Sequence, residues 1–490
     1  MASEYSNSLK THYFEPRVDI TNRIVEFRVD YGGNMYLPSM RIVGLGFTSV
    51  GANCKSVPVL GQYSHIRNIR LMDGGVELGN LREASRYLSF QSQLNDNMSN
   101  LCVNSVLARN RVGYLLEDFS SVQHPHLDKF AAVAANGEQA GSQILTAADG
   151  VRDAYLELKK VFPILGQLPA LDTGVFKQLK ILIEYNMDVR MNCEGPVKLG
   201  GVAPAAPNGG EVTSLNSKPP TLIADEVTDD RIKDSLRRQL ASGQYVYDEI
   251  EHDQFDVEPA AGAVATAVAA TANTTNVVEQ TTDAVINAFD QHVVSRMVMM
   301  KTYRNKDEAF HPVIGGGAAA NGKSNLAKGN GNYNSLYQLD EKLQIRVNGS
   351  NLFSGEGIVG EPQKAHLLSH AWGTLNVMPF TNRGGVGLED PNDRAVNTEG
   401  VPMNDGRGMD GATPVTGTDA NSQSDFVGNS NYIGFSIEDR VARMQFTYKR
   451  ALCHDLGSFG DLNRALTVHL FAEVRKMIQM NGGAYKIAYM

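Results

Sequence analysis

Residues 65–71 read HIRNIRL and run through Asp73-Gly74-Gly75 into a helical pattern that starts near Glu77. Residues 342–347 read KLQIRV and run through Asn348-Gly349-Ser350 and a short spacer into a second helical pattern near His366. Ile69-Arg70-Leu71 thus returns as Ile345-Arg346-Val347. Further along, Ile183-Glu184-Tyr185 is echoed by Phe446-Thr447-Tyr448, with only the tyrosine identical. Alternation of the strand type carries little information by itself. The weight lies in the order: both halves present strand, turn, helix and strand in the same succession, which points to one domain built twice.

Segments around these anchors show the same period of two, the mark of half-buried strands. In Ile24–Val29 the residues Val25, Phe27 and Val29 share a side; in Leu179–Tyr185 it is Leu179, Ile181, Ile183 and Tyr185; in Arg443–Lys449 it is Met444, Phe446 and Tyr448. The last stretch reads as a hairpin, Leu466–Met480 and Ala484–Tyr489 around Asn481-Gly482-Gly483, because Asn-Gly fits a tight two-residue turn. Helices are few. Leu78, Leu81, Ala84 and Leu88 give Glu77–Gln91 one apolar stripe, and Leu367, Leu368, Ala371, Trp372 and Leu375 do the same for His366–Met378. Strand and helix do not alternate regularly, which disfavours a parallel α/β fold. The expected fold is all-β with short helices: two tandem antiparallel jelly-roll sandwiches, each of about eight strands. A Pro/Gly/Asn/Ser-rich stretch, Pro204–Pro220, suggests the boundary. The first jelly roll is expected over 1–205, a linker over 206–225 and the second jelly roll over 226–490, with long loops at 259–275, 315–334 and 382–431.

Composition narrows the function. The 490 residues are 42% hydrophobic and 20% charged, the balance of a globular chain long enough for two cores. The formal charge is −9 and no basic run stands out, so genome packaging by direct phosphate neutralisation is not expected. Cys54, Cys102, Cys193 and Cys453 are scattered, without zinc-ligand spacing, and read as free thiols in a reducing compartment. The start of the chain lacks the pattern of a signal peptide. The longest uncharged apolar stretch, Ala260–Ala272, is too short to span a bilayer. The expectation is a chain that is soluble and intracellular when made.

Three patterns invite a chemical reading. Gly317-Ala-Ala-Ala-Asn-Gly322-Lys323-Ser324 satisfies the phosphate-cradling GxxxxGK[ST], but that loop needs a strand before it and a helix after it. Here Gly329 and Gly331 follow closely and oppose a helix. His124-Pro125-His126 offers two metal ligands without a third at regular spacing. The acidic residues Glu389, Asp390, Asp393, Glu399, Asp405 and Asp410 do not form a calcium loop. With no GxSxG or HExxH present, the chain is not expected to be an enzyme, and no catalytic, cofactor-binding or metal residue is assigned.

The segment 69–91, IRLMDGGVELGNLREASRYLSFQ, with VNSVLARNRVGY at 103–114, resembles the first-domain core of the major capsid proteins of polinton-like viruses and virophages. Residues 468–489, VHLFAEVRKMIQMNGGAYKIAY, resemble their closing strands, in which an Asn-Gly turn precedes the last one. The resemblance covers roughly a third of the chain, and the loop Asn382–Asn431 has no counterpart in it. It implies a major capsid protein whose homotrimers are pseudo-hexameric capsomers of an icosahedral DNA virus shell, each with six upright jelly rolls and no catalytic residues. The implied partners are the chain itself, neighbouring capsomers, and penton and minor capsid proteins. The implied location is the virion, with synthesis in the host cytoplasm; an internal membrane is not addressed by these features. The alternative is a β-sandwich virion protein that binds a receptor or glycan. It should display a loop cluster of exposed aromatics, whereas the only Trp, Trp372, has the spacing of a core residue. The 382–431 loop is expected on the outer face or at a trimer contact.

Overall fold

The alternating segments become the central strands of two sandwiches in the computed structural model, which describes residues 8–20, 23–29, 32–50, 54–56, 60–94, 144–145, 154–196, 214–217, 219–241, 243–259, 278–304, 326–328, 333, 335, 341–372, 432–452 and 465–490. The first half contributes β1 Leu9–Phe14, β2 Ile24–Arg28, β3 Arg41–Leu45, β4 Ile66–Asp73, β5 Val76–Leu81, β6 Ala154–Glu157, β7 Leu179–Tyr185 and β8 Thr221–Val227. These pair antiparallel in the orders β1-β8-β3-β6 and β2-β7-β4-β5. Short strands such as Met35–Tyr36 and Leu171–Asp172 extend the first of these sheets.

The second half contributes β9 Gln244–Val257, β10 Val278–Ile286, β11 His292–Tyr303, β12 Lys342–Val347, β13 Ser350–Asn351, β14 Ile433–Val441, β15 Met444–Leu452 and β16 Leu466–Asn481, then a closing strand β17 Ala484–Tyr489. Their orders are β9-β16-β11-β14 and β10-β15-β12-β13, with β17 added to β16. Adding eight to each strand number of the first half therefore reproduces the pairing of the second. Helix α1, Ala84–Gln93, follows β5; α2, Asp230–Ala241, joins the halves; α3, Glu361–Trp372, follows the short β13.

Alternation explains the outer sheets. Along β7 every second residue is buried, from Leu179 to Tyr185, while Lys180, Leu182 and Glu184 lie on the half-exposed face. The sheet β9-β16-β11-β14 behaves differently along its two middle strands, because consecutive residues of β11 and β16 are buried on both faces. Leu466, Val468, Leu470, Ala472 and Val474 of β16, with Met297 and Met299 of β11, fill the interior of the second sandwich. Phe471, Val298 and Met300 point the other way and join a core continuous with the first sandwich. A strand buried on both faces reads as a nearly unbroken apolar run, which is the pattern of MVMM at 297–300.

Three sequence expectations change. The stretch 206–225 is not a free linker: Ser214–Ser217 pairs with Phe47–Val50, and β8 is hydrogen-bonded between β1 and β3. The chain crosses to the second half through α2 instead, whose N–H groups at Arg231 and Ile232 are capped by Asp229. The helix expected from Glu77 begins only at Ala84, since Val76–Leu81 is β5. The second helix runs from Glu361 to Trp372 and starts earlier than its apolar stripe. Of the expected loops, 382–431 lies outside the described residues, as do 260–275 and most of 315–334. Among the described residues no helix is long and apolar enough to cross a membrane.

Candidate functional site: the seam between the sandwiches

Helix α1 leaves β5 through Glu83, whose positive φ of 49° turns the chain out of the strand direction. Its N–H is held by the Asn68 side chain at 3.1 Å. The turn aims Tyr87 and Phe90, both buried, away from the first sandwich and onto the second. Tyr87 packs on Phe471 of β16 with ring centroids 5.5 Å apart, and Phe90 meets Trp372 at 5.1 Å and Tyr432 at 5.0 Å. Aromatic pairs of this kind contribute about 0.5–1.5 kcal/mol each beyond the area they bury. Trp372 is thus a seam residue, also covered by the Arg296 guanidinium 4.9 Å from its ring.

The open edges of the sheets meet at a second contact. The outward N–H of Asn80 on edge strand β5 donates to Glu249 of β9 at 3.0 Å. A buried backbone donor at an unpaired edge is costly unless satisfied, and here the satisfying acceptor comes from the other sandwich. Gly79 makes the approach possible, because a Cβ there would lie 2.7 Å from Phe162 and 3.2 Å from the Glu249 carboxylate. Burial pushes the Glu249 carboxyl up to about 7, against the pull of Lys476. The closing strand adds a third contact, in which Tyr485 of β17 donates to Asp73 at 2.9 Å and packs on Phe176 at 4.9 Å.

A polar cluster fills the middle of the seam. His252 of β9 and His469 of β16 approach ring nitrogen to ring nitrogen at 3.1 Å, and the other nitrogen of His469 lies 3.2 Å from the Thr302 hydroxyl. Burial holds His252 down to about 4 and His469 well below its ordinary value, with Arg86 disfavouring charge on both. Arg86 pairs with Glu83, and Arg296 pairs with Glu473 at 2.6 Å. Burial raises the Glu473 carboxyl despite that partner.

Of these residues the sequence singles out only Trp372, as a core residue; the apolar run MVMM at 297–300 is the further signal it offers. The patterns that were marked fare differently. His124-Pro125-His126, the acidic residues 389–410 and Gly317–Ser324 lie outside the described residues. Just after the phosphate-loop pattern, Leu326–Lys328 is a strand paired with Cys193–Pro196, where a phosphate loop requires a helix.

No family model and no curated protein matches the sequence. Among solved structures, PBCV-1 VP54, fitted into a reconstruction of the virophage Sputnik, aligns over 98% of this chain and 97% of its own at 9% identity and a TM-score of 0.53. The mavirus major capsid protein aligns over 99% of this chain and 90% of its own, at 10% identity and a TM-score of 0.53. The fold is the double jelly roll. A chain from the Sputnik virophage structure agrees, over 98% of this chain and 88% of its own, at 9% identity and a TM-score of 0.51. In this double jelly roll the two sheets of each roll are β1-β8-β3-β6 with β2-β7-β4-β5, and β9-β16-β11-β14 with β10-β15-β12-β13. The two rolls are joined by a seam with a continuous apolar core.

Proposed function

We propose that the chain is a major capsid protein of an icosahedral DNA virus, and that three copies form a capsomer of pseudo-hexagonal outline. One observation carries this reading: a single chain presents the same eight-stranded sandwich twice, fused through a sheet whose middle strands β11 and β16 are buried on both faces. Three such chains offer six similar sandwiches, so a threefold assembly can meet six neighbours with near-equivalent surfaces. A function of this kind rests on shape and rigidity rather than on catalysis.

The two long intervals between α1 and β6 and between α3 and β14 fall at the same place in each roll. Long connections on a rigid frame are where contacts with solvent and partners concentrate. The 382–431 segment, within the second interval, belongs on this reading to the outer face or to a contact between chains. Neighbouring capsomers and the penton and minor capsid proteins would be its partners. The site of action would be the virion, after synthesis in host cytoplasm.

The test is imaging of the purified chain by negative-stain electron microscopy as its concentration is raised. Hexagonal particles and curved shells support the reading. Isolated single chains that bind immobilised glycans and never assemble would favour the receptor-binding alternative.

A further inference from the structure

Helix α3 carries two histidines, His366 and His370, spaced four residues apart and both exposed. Side chains at that spacing are neighbours on a helix surface, and the two imidazole centroids are 6.3 Å apart. The opposite side of the helix is firmly held. Lys364 reaches inward to the buried Glu341 at 2.7 Å, and the Ala371 carbonyl accepts from Arg296 at 3.0 Å. Leu368 and Trp372 lie so close over β14 that only glycine fits at Gly434, where a Cβ would be 2.5 Å from Leu368. The backbone beneath the two histidines is therefore already ordered, and a ligand that bridges them need not immobilise it.

We propose that His366 and His370 form a chelating site for a divalent transition-metal ion, with Cu(II) preferred over Ni(II) and Zn(II). The neutral imidazole is a ligand of choice for these ions. Two histidines one helical turn apart are also the spacing at which helical metal sites take a pair of ligands. With metal–nitrogen bonds of about 2.0–2.1 Å, the two ligating atoms must lie about 3 Å apart. Exposed rings whose centres are 6.3 Å apart reach that by side-chain rotation. Among the described residues no group of three or more metal-binding side chains occurs. The described residues thus offer the two imidazoles as ligands, and positions they leave open are available to water. The preference for copper follows the general stability order of first-row divalent ions. This inference does not depend on the shell-building role.

The experiment uses the full chain without a polyhistidine tag, titrated with copper(II) chloride in a calorimeter at about pH 7.5 and followed by electron paramagnetic resonance. One saturable equivalent is expected, with nitrogen coupling in the spectrum. Nickel and zinc should bind more weakly at the same site. His366→Asn and His370→Asn should each weaken binding by about tenfold or more, with the thermal midpoint unchanged. His12→Asn, and the pair His124→Asn with His126→Asn, should leave it intact. Absence of a saturable first equivalent overturns the proposal. So does a first equivalent that survives both α3 substitutions, or one that is lost with His124 and His126.

Discussion

Ile345 stands directly across from Phe446 on β12 and β15, just as Ile69 stands across from Ile183 on β4 and β7. These are the residues that echo one another in the two halves of the sequence, so the repeat preserves cross-strand register as well as strand order. All four are buried. Large-to-small changes at such sites leave a cavity in the sandwich, and Phe446→Ala should cost about 3–5 kcal/mol and Ile183→Ala about 2–5 kcal/mol. Chemical denaturation checks this, with midpoints that fall while the slope is unchanged. A near-neutral result at either position would mean that the pair does not pin its roll.

The same correspondence identifies a position that the two rolls build from different chemistry. Glu341 immediately precedes β12 and receives Lys301 at 2.6 Å, Lys364 at 2.7 Å and the Tyr448 hydroxyl. Burial pushes that carboxyl up, yet the two lysines together hold it down to about 2. His65 immediately precedes β4 and instead stacks on Tyr185 at 4.4 Å and meets the tilted ring of Phe47 at 4.9 Å. The first roll thus manages without the ion cluster. Glu341→Leu alone should cost about 3–5 kcal/mol by stranding buried charge. Lys301→Met, Glu341→Leu, Lys364→Met and Tyr448→Phe together should recover most of the loss, as thermal unfolding of the single and combined variants would reveal.

Glu249 ties the rolls together and responds to pH. Its folded value of about 7 lies above the ordinary 4.5, so between those values the folded chain keeps a proton that the unfolded chain has released. Its contribution is full below pH 4.5 and is lost as pH rises through 7. Glu249→Gln retains an acceptor for the Asn80 N–H and removes the charge. The variant should match the parent near pH 4.5 and exceed it by up to about 3 kcal/mol at pH 8. A constant difference across that range would contradict the assignment.

The histidine pair acts in the opposite direction. Because His252 and His469 are held below the ordinary 6.5, the unfolded chain takes up protons first as pH falls. Their contribution is present above pH 6.5 and declines toward pH 4 and below. Replacing both with Gln should move acid unfolding, followed by circular dichroism, to lower pH. An unchanged acid midpoint would remove the pair from that transition.

Much of the fold was legible where one face of a strand is buried. β7, β12 and the closing hairpin fall within a residue or two of their alternating segments. The failures have physical causes. In β5, Leu71 pairs with Gly79 and Met72 with Glu77, which leaves Leu78 as a bulge. The bulge breaks the period of two and buries Leu78 and Leu81, three residues apart, which imitates a helix stripe. In β8, Leu222, Ile223 and Ala224 are consecutive and all buried, so no alternation marked the strand inside the expected linker. The seam was not legible, since Glu249, His252 and His469 acquire their roles only when β9 and β16 meet α1 and β5.

Solution mass by light scattering on a sizing column tests the shell-building role most directly. A species of three times 53.3 kDa is the expected result. A monomer that persists as concentration is raised would contradict it.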